Sequence, residues 1–101
     1  MAIKAILQTV DGKKQSEVVD PAYSLAKIWP VGDQSFLLLQ YIDPYGNTIF
    51  NRQQMPEVEK EIDILLGGTL TAEQREIRAR IRALATECHG RVHMFLRFRG
   101  D

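Results

Sequence analysis

Apolar and polar residues first alternate over Ile3–Val10, with Ile3, Ala5 and Leu7 on one side and Lys4, Ile6 and Gln8 on the other. A period of two predicts a strand. Asp11-Gly12 follows, a dipeptide suited to a type I′ hairpin turn, and the return strand is expected over about Lys14–Val19. Asp20-Pro21 carries a helix-start signal, and the helix at Pro21–Ile28 is short because Trp29-Pro30-Val31-Gly32 breaks it. Ser35–Ile42 is the most strand-like stretch. Leu37, Leu39 and Tyr41 share one face and Phe36, Leu38 and Ile42 the other. That pattern fits a central strand covered on both sides, or one with a covered side and a side at a protein interface. Asp43-Pro44-Tyr45-Gly46 has the type I turn signature, and Asn47–Phe50 is expected as the short partner strand.

The second half changes period. Met55, Val58, Ile62, Leu65 and Leu66 recur at helical spacing, and Glu57, Glu59 and Glu61 lie near the positive N-terminal end of that helix. Pro56 is most comfortable as its first residue, and Gly67-Gly68 ends it. Thr71 opens a second helix, with Gln74 completing a capping box. Its stripe is Ile77, Ile81, Leu84, Ala85 and Cys88, ended by Gly90. A short link between two such helices implies an antiparallel pair. Val92, Met94, Leu96 and Phe98 alternate with His93, Phe95, Arg97 and Arg99, a final strand with one buried face. The order predicts a single α+β domain over residues 1–101, a mainly antiparallel sheet of four to five strands with an αα-hairpin packed on one face.

Composition narrows the function classes. The chain is 45% apolar and 26% charged, and thirteen Lys plus Arg balance thirteen Asp plus Glu. Zero net charge excludes a disordered polyelectrolyte and disfavours a nucleic-acid coat acting by bulk positive charge. The longest apolar run, Phe36–Leu39, is far too short to span a bilayer, and the first residues lack a basic leader with an apolar core. One cysteine, Cys88, makes no internal disulfide and fits a reducing cytosol.

Charge is unevenly placed. Residues 33–66 hold two basic and six acidic groups, whereas residues 71–101 hold seven basic and four acidic ones. Arg75, Arg78 and Arg82 fall at i, i+3 and i+7 on one flank of the second helix, a patch for nucleic acid or an acidic protein face. The plain alternative is a solvated face on which Glu76 and Arg80 pair. Helices of opposite charge also attract within one fold, and between copies.

Asp43–Gln54 is the densest segment in recognition chemistry. Tyr45 suits an aromatic anchor, Arg52 a two-point donor, and Asn47 and Asn51 supply amides, all at a tight turn. The same residues also do ordinary turn work: Asp43, Asn47 and Asn51 can satisfy turn and helix-start amides while Arg52 pairs with an acid. The pattern D-P-Y-G-N-T-x-F-N-R-x-Q resembles a segment of a family of small uncharacterised bacterial proteins of about this length. The likeness extends to the closing strand and Gly100-Asp101. It implies a bacterial cytosolic α+β domain with no known activity, and no catalytic residue carries over.

Signals for catalysis are weak. Cys88, His89 and His93 offer a thiol and two imidazoles, but Gly90 interrupts the helix that would align the histidines, and Cys88 lies on the apolar stripe. No serine stands in a nucleophile-elbow context and no glycine loop suits phosphate. No catalytic residue, metal or cofactor is therefore assigned. The expectation is a non-catalytic interaction domain binding a protein partner through Asp43–Gln54 and the arginine flank, with self-association open through Trp29, Tyr45 and Phe95. The alternatives are a nucleic-acid-binding module using Arg75, Arg78 and Arg82, and a small-molecule binder or enzyme around Tyr45, Asn47, Arg52 and His93.

Overall fold

In a computed structural model, residues 3–20, 29–30, 32–43, 45–64 and 70–100 are described. The helix expected at 21–28, Pro44 and the Gly67-Gly68 stop lie outside them. The first alternation forms β1 (Ile3–Thr9), which pairs antiparallel with β2 (Lys14–Val19). Their connection differs from the expected two-residue turn. Thr9 N–H donates to the Lys13 carbonyl and Gly12 N–H to the Thr9 carbonyl, each at 2.9 Å. Gly12 alone of the loop takes positive φ, at +91°. This is a three-residue loop in which a type I turn hands over to a left-handed glycine, because Thr9 engages the Asp11 carboxylate and fixes the first corner.

β3 (Asn47–Asn51) and β4 (Met94–Gly100) complete a four-stranded, fully antiparallel sheet in the order β2-β1-β4-β3. The expected αα-hairpin is present as α1 (Met55–Ile64) and α2 (Ala72–Gly90). Thr71 and Gln74 form the capping box read from the sequence, and Ile77, Ile81, Leu84, Ala85 and Cys88 are the buried stripe. These side chains pack with Ile3, Ala5, Leu7, Leu96 and Phe98 from one face of the sheet in a continuous core. Trp29 and Phe50 meet the ring of Phe98 there, at centroid distances of 5.6 and 6.0 Å.

Ser35–Ile42 is not a strand. It is a run of turns ending in a 3₁₀ turn at Leu39–Tyr41. The physical reason lies in α1. Glu61, only 2% exposed, accepts hydrogen bonds from the N–H groups of Leu38 and Leu39 at 3.0 Å. Backbone donors held by a carboxylate are not available to a neighbouring strand. Leu39 and Ile42 then enter the core at a spacing of three, while Leu37 and Tyr41 face outward.

The start of α1 also departs from the reading. Asn51 and Gln54 form a capping box around a 3₁₀ turn, Arg52–Gln54, which runs directly into the α-helix at Met55. Pro56 is thus the second α-helical residue, still inside the first turn where its missing N–H does no harm. Val92, expected on the buried face of the last strand, is 64% exposed. His93 takes φ +62°, which reverses the chain before Met94 and moves Val92 out of register.

Candidate functional site

The Asp43–Gln54 segment wraps the β3 edge of the sheet. Gly46 N–H closes the turn on the Asp43 carbonyl at 3.4 Å, and the Asp43 carboxylate accepts from Tyr45 N–H at 2.8 Å. A Cβ at Gly46 would stand 2.7 Å from that carboxylate, so a larger residue there would have to displace the Asp43 side chain. Asp43 N–H donates to the Thr48 hydroxyl, so turn and strand are tied together. Beyond the turn the Tyr45 side chain is 77% exposed.

Register fixes which backbone groups of β3 are free. Gly100 N–H donates to the Gly46 carbonyl at 2.7 Å, and Asn47 faces Arg99. Alternation along an antiparallel ladder makes Thr48–Phe98 and Phe50–Leu96 the bonded pairs. The N–H and C=O groups of Asn47, Ile49 and Asn51 therefore point away from β4. The Asn51 N–H is taken by the Gln54 side chain at 2.9 Å. Among the described residues, the backbone groups of Asn47 and Ile49 have no partner. Ile49 also exposes 52% of its surface.

Structure separates the candidate residues of this segment. Tyr45 and Asn47 lie at one end of β3, Asn51 and Arg52 at the other, roughly 15–20 Å of extended chain apart. Tyr45, Asn47 and Arg52 do not converge on one cavity. Arg52 points to the end of α2, where its Nε donates to the His89 carbonyl at 2.9 Å. It satisfies a helix C-terminal acceptor instead of the acid expected for it. Beside it, Arg52, His93 and Phe95 line a shallow depression of about 340 Å³.

The arginine flank is likewise divided. Arg82 is turned toward α1: its Nη1 donates to Glu59 at 2.7 Å and to Thr86 at 2.6 Å, and its Nε to Asp63 at 3.0 Å. Asp63 beside it holds the guanidinium above the usual arginine pKa. His89 joins the same cluster, its Nδ1 lying 2.8 Å from Glu59. The cluster lines an open groove of about 630 Å³ together with Pro56, Lys60 and Ile64 of α1. It ties the acidic helix to the basic one, the attraction their charges imply. Arg75 donates to the Leu70 carbonyl at 3.2 Å, and the half-buried Arg78 lies on the same helix.

Glu59 and Glu61 were the residues missed as partners. Glu61 had one legible signal, its helical phase beside Ile62 on the buried stripe. Glu59 had only its sign. Cys88 is fully buried, its thiol donating to the Met94 carbonyl at 3.6 Å, and burial pushes its pKa up to about 11. A thiol so placed is neither a nucleophile nor a ready ligand. Among the described residues no group of three His, Cys, Asp or Glu could hold a metal, and no helix is long and apolar enough to cross a membrane. Compared with models of known families, with curated proteins and with solved structures, the chain matches none.

Proposed function

We propose that this chain is a non-catalytic interaction domain that binds protein through the Asp43–Gln54 segment, by strand addition at the β3 edge. The observation that carries the reading is the edge itself: an uncharged strand, Asn-Thr-Ile-Phe-Asn, with outward backbone groups at Asn47 and Ile49. Exposed apolar side chains are frequent in this strand and in the stretch of chain before it. Leu37, Tyr41, Tyr45 and Ile49 are four of the seven large exposed hydrophobic residues described. The arginine flank supports contact less well, because Arg82 is engaged by Glu59 and Asp63. Contact with a protein needs no bond made or broken, in keeping with a buried, inert thiol. The lone cysteine and the segment's resemblance fit a bacterial cytosolic setting.

The test is affinity capture from host lysate. Tyr45→Ala combined with Ile49→Lys is expected to lower retention at least tenfold while moving Tm by no more than about 4 °C, since both side chains are exposed. Retention indifferent to the two substitutions would overturn the reading.

A further inference from the structure

We infer that the strand added to the β3 edge is β3 of a second copy of this chain, forming a two-fold dimer with one continuous eight-stranded sheet. This deepens the proposed function and rests on its reading of Asp43–Gln54 as the contact segment.

The argument starts from the chemistry of the strand. Asn47-Thr48-Ile49-Phe50-Asn51 carries an amide at each end and Ile49 at its centre. Laid antiparallel on itself, it sets Ile49 opposite Ile49 and each Asn47 opposite the other copy's Asn51. Closed symmetry requires a patch that complements itself in this way. The hydrogen bonds agree. Ile49 presents both its N–H and its C=O outward, so the central pair exchanges two bonds. Each Asn47 N–H reaches the other copy's Asn51 carbonyl, while the Asn51 N–H stays with Gln54. The central Ile49 pair uses groups left free within one chain, and at each end the Asn51 carbonyl, which also opens the 3₁₀ turn, has a second lone pair for the Asn47 N–H.

Side chains agree as well. Directly opposed residues in such a pair bring their Cβ atoms to about 5 Å, which closes two half-exposed Ile49 side chains on one another. No ionisable group lies between Asn47 and Asn51, so nothing is repelled or stranded without water as the edges meet. Arg97 and Arg99 stand one strand back on β4. Their counterparts in the second copy would be three strand spacings away, roughly 14 Å and beyond the screening length of physiological salt.

The ends of the strand supply the last point. Within one chain Tyr45 and Arg52 lie at opposite ends of β3. Antiparallel pairing brings Tyr45 of one copy beside the Arg52-Gln53 turn of the other, on both sides of the two-fold. Arg52, whose Nε holds the His89 carbonyl, stands at the end of β3 that this pairing brings next to Tyr45 of the second copy. An exposed tyrosine and a guanidinium make a favourable pair. The two recognition residues of the segment form one site only when two chains meet.

Sedimentation of the purified chain at about 100 µM tests this. The expected mass is twice 11.5 kDa for the natural sequence. Ile49→Lys and Ile49→Asp each place like charges face to face at the two-fold, and each is expected to sediment as a monomer. An equimolar mixture of the two variants should regain the doubled mass, because Lys then faces Asp; that recovery also shows that both variants are folded. A monomeric natural chain, or a dimer that survives both substitutions, would overturn the inference. If the natural chain is monomeric and yet Tyr45→Ala with Ile49→Lys releases a captured protein, the second copy is wrong and the contact segment stands. If capture ignores those substitutions, the contact segment itself is wrong.

Discussion

The two edges of the sheet are finished in different ways. β2 hangs on a local hairpin and carries its own protection: Lys14 and Glu17 pair at 3.4 Å on an exposed strand. Any chain approaching that edge must first strip water from two charges. β3 carries no charge, and no hairpin holds it. It is positioned by polar side chains reaching in from elsewhere: Glu61 on the backbone of Leu38 and Leu39, Asp43 on its own turn, Asn51 and Gln54 on each other, and Arg52 on the end of α2. A charged edge is one that proteins leave idle. A neutral edge pinned at both ends is already arranged for a partner, so less order must be imposed when the partner arrives.

The pins make the comparison testable, and Glu61 should matter most. Glu61→Ala leaves two N–H groups beside the core without a partner, at about 1–3 kcal/mol each, against some relief from no longer burying a carboxylate. A net loss of about 2–4 kcal/mol is expected in urea denaturation, a large share of the roughly 5–10 kcal/mol of a domain this size. Glu61→Gln keeps one oxygen for both donors and should cost little at neutral pH. Burial, followed by the hydrogen bond from Glu57, raises the Glu61 pKa above its ordinary 4.5, the Leu38 and Leu39 amides opposing. The folded chain therefore holds this proton more tightly than the unfolded one. The resulting stabilisation is complete below about pH 4.5 and is lost as pH rises through the folded pKa. The stability of the natural chain minus that of Glu61→Gln should fall over that window. A flat difference, or an alanine variant as stable as the natural chain, would remove Glu61 as the pin.

Most of the β2 side and both helices were legible in the sequence, because short-range rules govern them. The period-two alternation of β1, the Thr71–Gln74 box and the stripe from Ile77 to Cys88 each depend on neighbours a few residues away. The β3 side was less legible for the opposite reason. Ser35–Ile42 has a strand's composition, and what overrules it is a carboxylate more than twenty residues later. Val92 was misplaced by a left-handed His93, a conformation that residue identity does not announce. Arg82 was counted as an exposed cation because its helix position does not reveal Glu59 and Asp63 across the groove. The segment Asp43–Gln54 stood out correctly as a cluster of turn and recognition chemistry. Its division between the ends of a strand appears only once the strand is placed.

Arg52 separates pinning from contact. Arg52→Met keeps the aliphatic stem and removes the hydrogen bond to the His89 carbonyl, a loss of about 0.5–1.5 kcal/mol in denaturation. Dimerisation should weaken by more than stability does, because the guanidinium that faces Tyr45 of the second copy goes as well. Equal stability with unchanged association would assign Arg52 to neither task.

The smallest effect on stability, and the sharpest contrast between the edges, is expected at β2. Lys14→Gln with Glu17→Gln removes an ion pair whose lysine is 57% exposed, so folding stability should change by no more than about 0.5 kcal/mol. Association should change far more. If charge is what keeps this edge idle, neutralising it leaves a chain with two open edges, and pairing no longer closes at two copies. Two unlike contacts propagate where one two-fold contact stops. Species heavier than the dimer should then appear in sedimentation at concentrations where the natural chain shows none, and Ile49→Lys in the same chain should cut them back to at most a pair joined through β2. A doubly neutralised chain that sediments like the natural one would mean that the hairpin's shape, and not its charges, sets the two edges apart.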